Sequence, residues 1–427
     1  MLLVCGACVK SNLDNAFDPQ YGVGLGLWAG LTLGGANGST STAGNGSTSG
    51  PGSAGGACGG THFDTIQPGA SAEAQAQMQA ARDQGLSGTE TIDTTTISGF
   101  AGSLSWSGGV LGTDGQIYGI PNGSSGQVLK LDPTTDTFSL IPIPGYTSGH
   151  EWIGGALAPN GKIYGVPSSA TDVLEIDPAT GTVSLINVGL GAATGKFAGA
   201  ALAPNGKIYF IPDVGTVVGI FDPDTGTLDT TTITGLTQRY WGGTLGFDGK
   251  IYGMPGPTGH FASSVLIIDP ETDTVDIATM SGLGDPGHGS GTLGPDGKIY
   301  APPVDNISSV MIVDPDAGTA DIGTISGLGV QIDYGGALAP NGKIYTAHGH
   351  NPGRIMIIDP ATDTIDTTTL TFTISPTLAA YMDAVLAPNG KIYVIANGAS
   401  NIPIIDTKSV GTLCDSLLYS AYINGAH

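Results

Sequence analysis

One phrase returns along this chain with small changes: "GGALAPNGKIYGVP" from Gly154, "GAALAPNGKIYFIP" from Gly199, "GGALAPNGKIYTAH" from Gly335 and "AVLAPNGKIYVIA" from Ala384. Its Leu falls at Leu111, Leu157, Leu202, Leu245, Leu293, Leu338 and Leu386, at spacings of 46, 45, 43, 48, 45 and 48 residues. A period in the forties with no helical pattern inside it makes each copy a small sheet. Such a sheet cannot bury both faces alone, so it must stack on its neighbours.

Each copy reads as four strands. "GGALAP" is an inner strand A, with small residues where strands crowd an axis. "PNGK" or "PDGK" is a tight turn whose Gly supplies a positive φ. "KIYGVP" is strand B, "VLEIDP" strand C, and "GTVSLI" strand D after the turn "DPATGT". The expected fold is an all-β, seven-bladed β-propeller over residues 89–407. Tyr118, Tyr164, Tyr209, Tyr252, Tyr300, Tyr345 and Tyr393 recur in strand B, as packing between neighbouring sheets. Asp132, Asp177, Asp222, Asp269, Asp314 and Asp359 precede Pro and cap their own turns; no unit supplies the ligand set calcium needs.

The seventh copy stops after "IANGASNIPIIDTKSV" with no strand D. The missing piece stands far upstream: "ETIDTTTIS", Glu90 to Ser98, nearly copies "DTIDTTTLT", Asp363 to Thr371. Residues 89–98 are therefore expected to complete the last blade and close the ring with no free edge. The Pro-Asp/Asn-Gly-Lys turn, "IY", the Ile-Asp strand and the "TxTV" strand resemble YVTN and NHL-type propeller repeats. That resemblance implies a propeller of the kind found in surface-layer, secreted and phage virion proteins.

Residues outside the repeats differ in kind. Residues 1–35 form an apolar, Gly-rich segment with Leu25, Leu27, Trp28 and Leu31, expected to anchor the chain on virion or surface-assembly proteins. Residues 36–88 are a Gly/Ser/Thr-rich tether with one helix candidate near 70–86, and 408–427 are a C-terminal tail. No secretion leader and no membrane span are expected, because the one N-terminal apolar run is short and lacks preceding basic residues. Cys58 and Cys414 flank the array and are the candidate disulfide; zinc bound by these with Cys5 and Cys8 is disfavoured, with only one Cys-x-x-Cys pair present.

The net charge of −23, from 36 acidic against 13 basic residues, disfavours nucleic acid as a partner. Strand order sends the A–B and C–D turns to one face and the B–C and D–A loops to the other. The first face carries the repeated turns; the second carries all the variable loops. Five residues before each repeat Leu stand Trp106, Trp152, Phe197, Tyr240, His288, Asp333 and Tyr381, followed by Trp241 and Tyr334 at the next position of two copies. These aromatic residues either seal the funnel or offer a stacking platform to a glycan or host-surface receptor. His150, Glu151, His288 and Asp333 are the acid–base alternative, a propeller lyase or hydrolase, and His348-Gly-His350 is a further pair. None has diagnostic spacing, so the expectation is a non-enzymatic adhesion protein on a virion surface, with no cofactor or metal. A secreted or surface-layer protein is the alternative.

Overall fold

The computed structural model describes residues 89–408, apart from 101–103, 124, 147–148, 150, 257–261, 285–286, 305–306, 329–332, 350–352 and 374–380. The anchor, the tether with its helix candidate, the tail beyond Lys408 and all four cysteines lie outside them.

Seven four-stranded antiparallel sheets form the blades, and a two-stranded ribbon joins Gly353–Arg354 to Thr371–Phe372. The inner strands are Trp106–Leu111, Trp152–Leu157, Phe197–Leu202, Tyr240–Leu245, Thr292–Leu293, Asp333–Leu338 and Tyr381–Leu386. Their repeat Leu positions and the Ile-Tyr pairs of strand B bury the core between adjacent sheets. Glycine here meets a packing demand: a Cβ on Gly199 would stand 2.7 Å from Gly242 Cα of the next blade.

Closure follows the expected pairing. Thr91–Asp93 runs antiparallel to Ile404–Asp406, with Thr91 opposite Asp406, Ile92 opposite Ile405 and Asp93 opposite Ile404. The seam continues past the strand: Ile402 N–H donates to Ile97 O at 3.0 Å and Asn401 Nδ2 to Thr94 O at 2.8 Å. Ile97 is buried in a cluster that spans blades 6, 7 and 1, and Phe100 packs edge-on against Trp106 of blade 1 with ring centroids 5.4 Å apart.

Turn chemistry ties blade to blade on the repeated face. Gly161 and Gly206 take φ of +80° and +81°, which lets Asn160 and Asn205 cap the N–H of Lys162 and Lys207. The Asn205 amide then donates to Tyr209 Oη at 2.9 Å and to Pro270 O of the next blade at 2.9 Å. Across the closing seam Asn389 donates to Pro133 O at 2.7 Å, and Tyr345 donates to Glu90 of the closing segment at 2.8 Å. Burial first, and the neighbouring carboxylate second, hold most of these phenols far above their ordinary range. The Asp-Pro acids cap their own turns, as Asp177 does by accepting from Ala179 N–H at 2.9 Å.

Because Ile97 fills the seam core, Ile97→Ala is expected to cost about 2–5 kcal/mol. Chemical denaturation should show this as a lower midpoint; an unchanged midpoint would mean the upstream segment does not close the ring.

Candidate functional site

The variable face is built at the start of the inner strands, where six of them carry a register shift, as between Trp106 and Gly109, Trp152 and Gly155, and Trp241 and Gly243. An extra residue at this point turns the strand and re-aims the preceding side chains. Sequence periodicity does not reveal the shift, and it decides where the candidate aromatic residues go.

Trp106, Trp152, Phe197, Tyr240, His288 and Tyr381 are all buried. Each that carries a polar atom uses it inside its own blade. Trp106 Nε1 donates to Gln127 O at 3.0 Å and Trp152 Nε1 to Asp172 O at 2.8 Å. His288 Nε2 lies 3.1 Å from Ser309 O, and Tyr381 Oη donates to Asn401 at 2.7 Å. Tyr240 Oη meets Gln238 Oε1 at 3.1 Å, and Phe197 packs on Phe210. These residues lock the inner strand to the start of strand C and offer no ring to solvent.

The other two candidates remain partly open. Trp241 of blade 4 and Tyr334 of blade 6 are half-buried, and their rings meet at a centroid distance of 6.5 Å and a tilt of 44°. Blade 5 lies between them in sequence order and bears Gly289 at that repeat position. A Cβ there would stand 2.2 Å from Tyr334 O, so only glycine lets the backbones approach. Ile153 and Met382, half-buried, occupy the same position in blades 2 and 7.

The polar candidates are committed to structure. Asp333 accepts from Thr346 Oγ1 at 2.7 Å and lies 3.3 Å from His348 Nδ1, all three buried. Glu151 accepts from Ser169 Oγ at 2.9 Å. His150, His260 and His350 lie outside the described residues. No group of three or more metal-ligating side chains occurs among the described residues.

Sequence reasoning passed over two features. Asp383 sits fully buried on the inner strand of blade 7 and accepts from Gly109 N–H of blade 1 at 2.9 Å and Ala384 N–H at 2.7 Å. Burial lifts its pKa to about 7, against the pull of those two N–H groups. The second feature is a basic spot. Lys162, Lys207, Lys250, Lys298, Lys343 and Lys391 all stand in A–B turns, and Lys130 pairs with the turn acid Asp114 at 3.2 Å. Lys196 and Arg239 stand instead on the variable face, where Asp213 N–H donates to Lys196 O and the Asp213 carboxylate pairs with Arg239. Their rarity in a chain with 13 basic residues was the available signal.

No protein-family profile matches the sequence, and no match was found among curated proteins. Solved structures do resemble the fold. A streptogramin B lyase is 14% identical, with 74% of this chain and 97% of that one covered at a TM-score of 0.59. A catalytically inactive histidine-to-alanine variant of virginiamycin B lyase from Staphylococcus aureus, with quinupristin, is 12% identical over 74% and 99% of the two chains at 0.60. The extracellular domain assigned to a hybrid two-component system from B. thetaiotaomicron is 12% identical over 73% and 41% at 0.52. At such identity the likeness establishes a shared propeller fold, which hosts many unrelated activities.

Two outcomes follow from the geometry. Trp152→Ala should cost about 3–5 kcal/mol, whereas Trp241→Ala should leave the denaturation midpoint within the experimental scatter of the parent; equal losses would show that both rings are core. For Asp383, the folded chain holds its proton more tightly than the unfolded chain. Its contribution to stability is therefore full below 3.8 and is lost as the pH rises through about 7. Asp93 and Asp229 have the opposite sign. Hydrogen bonds from Thr96 and Thr232 hold their pKa at about 2, so that support is lost as the pH falls from 3.8 through about 2. Melting midpoints measured between about pH 5 and 8 should fall in the parent and flatten in Asp383→Asn; the same slope in both would remove Asp383 as its source.

Proposed function

We propose that this chain is a non-enzymatic recognition protein held at a virion surface, with the propeller presented outward. The observation that carries this reading is the polarity of the disc. The described chain begins at Thr89 beside Glu90, whose carboxylate accepts from Tyr345 on the repeated-turn face. It ends at Lys408, whose ammonium pairs with Asp406 in the last C–D position, opposite Thr91. Both described ends thus lie on one face at blade 7, while the strand ends that lead into the variable loops lie on the other. A protein attached by its ends would present the variable face to its partner.

The buried polar groups favour binding over turnover. Asp333, His348 and Asp383 have almost no exposure, and their described hydrogen bonds are to the fold itself. The aromatic chemistry left partly open on the variable face is the tilted Trp241–Tyr334 pair, which suits stacking on a sugar or an apolar side chain. Likeness to an extracellular domain favours a second reading, a secreted or surface-layer protein with the same recognition role.

Immunogold labelling with antibody to the disc separates these readings. Gold on isolated native particles is the expected result. Gold confined to cell envelopes selects the alternative, and labelling of neither contradicts surface display altogether.

A further inference from the structure

We infer that the outer edge of blade 2, Thr182–Asn187, accepts one further strand, and that residues 23–33 of the same chain supply it. The pairing is independent of the recognition role proposed above.

Each blade ends in an outer strand that pairs on one side only among the described residues. Such an edge is a template for other chains, and proteins blunt it with bulges, charges or early termination. Five blades do so in one way. Their outer strands, Thr227–Asp229, Thr274–Asp276, Thr319–Asp321, Thr364–Asp366 and Thr91–Asp93, stop after three residues at an aspartate. Its carboxylate turns the chain away by accepting from the N–H groups two and three residues on, at 2.7 and 3.2 Å for Asp229. Asp276, Asp321, Asp366 and Asp93 make the same pair of bonds. In blades 1 and 2, Ser139 and Ser184 stand where that aspartate would be. Thr137–Pro142 and Thr182–Asn187 therefore run on for six residues, each paired without interruption to strand C. Pro142 ends the first with a residue that has no N–H to offer. The edge of blade 2 carries neither charge nor proline.

The two faces of this edge set what can be added to it. Val183 and Leu185 lie on one face and pack into the core shared with blade 1, whereas Thr182 and Ser184 on the other are exposed. A strand that extends both faces must alternate apolar residues with small or polar ones. "GVGLGLWAGLTLG", Gly22 to Gly34, has that form: Val23, Leu25, Leu27, Ala29, Leu31 and Leu33 fall at every second position, with Gly, Trp or Thr between them. Charge favours this segment over a second disc. No Asp, Glu, Lys or Arg occurs between Asp18 and Asp64, so the segment meets no repulsion, whereas two chains of net charge −23 repel each other. Reach favours it as well. The described chain starts at Thr89, beside the outer strand of blade 7, and blade 2 stands two places further round the ring. As a coil, residues 34–88 would span roughly 40 Å, and such a tether keeps the segment at about millimolar local concentration. The pairing leaves residues 1–22 and those beyond Lys408 for attachment to a surface.

Hydrogen exchange of the full chain tests the pairing, read on peptides covering 23–33 and 182–187 in the parent and in a Leu25→Pro, Leu27→Pro double variant. Both substitutions remove N–H groups the added strand would need, and neither touches a described residue of the disc. Both stretches should exchange about tenfold more slowly in the parent than in the variant, with Glu175 and Ile176 of strand C unchanged. Fast exchange of 23–33 in the parent overturns the pairing, as does slow exchange there with no difference at 182–187. A difference that fades on dilution from about 100 to about 1 µM overturns the intramolecular strand, because a second copy then supplies it. Slow exchange at 182–187 that persists in the double variant gives the edge to another occupant and overturns the assignment of residues 23–33. Each of these failures leaves the recognition role standing, since the variable loops take no part in the pairing.

Discussion

Three antiparallel pairs, Thr91 with Asp406, Ile92 with Ile405 and Asp93 with Ile404, hold the remainder of this architecture in place. Six blades complete their sheets from contiguous chain, but the seventh borrows its outer strand from the front of the array. Without the loan, Ile404–Asp406 would be an open edge, and the packing of Ile97 and Phe100 between blades 7 and 1 would be lost. With it, loss of either end must break a sheet already packed into a common core of Ile97, Ile402 and Trp106. A free edge is thereby removed, and the disc becomes a single cooperative ring.

Closure also gives the disc its two unlike faces. On one, Asn, Tyr and Pro groups link neighbouring blades through bonds such as Asn205 to Pro270 and Asn389 to Pro133, so these turns have little freedom to change. On the other, each blade anchors its own inner strand with a buried side chain, and the loops above are free to differ. Trp106, Trp152 and His288 do the same task with different chemistry, each reaching a carbonyl at the start of strand C. Variation in the loops therefore costs the fold little, which is the physical condition for a recognition surface.

Much of this was legible in the sequence. The seven repeat leucines, the Asn-Gly and Asp-Gly turns, the Asp-Pro caps and the displaced "ETIDTTTIS" strand all act locally, and local chemistry can be read from neighbouring letters. The aromatic ring was harder. Stacking platforms and core seals use the same residue types, and the choice between them depends on a strand bulge that leaves no mark in the pattern. Six of the eight ring candidates turned inward as a result, leaving Trp241 and Tyr334 accessible. Lys196, Asp213 and Arg239 were illegible for another reason: residues from three separate loops meet only after two blades have packed. Asp383 likewise looks like an ordinary strand residue until blade 1 closes over it.

Amide hydrogen exchange measured in the native state tests the central claim most directly. If residues 89–98 are the outer strand of the last blade, the Ile92 and Ile405 amides should exchange together, at the rate set by opening of that whole blade. Fast exchange at Ile92 beside slow exchange at Ile392 and Tyr393 would show that the upstream strand is not part of the sheet, and the two-faced disc would lose its foundation.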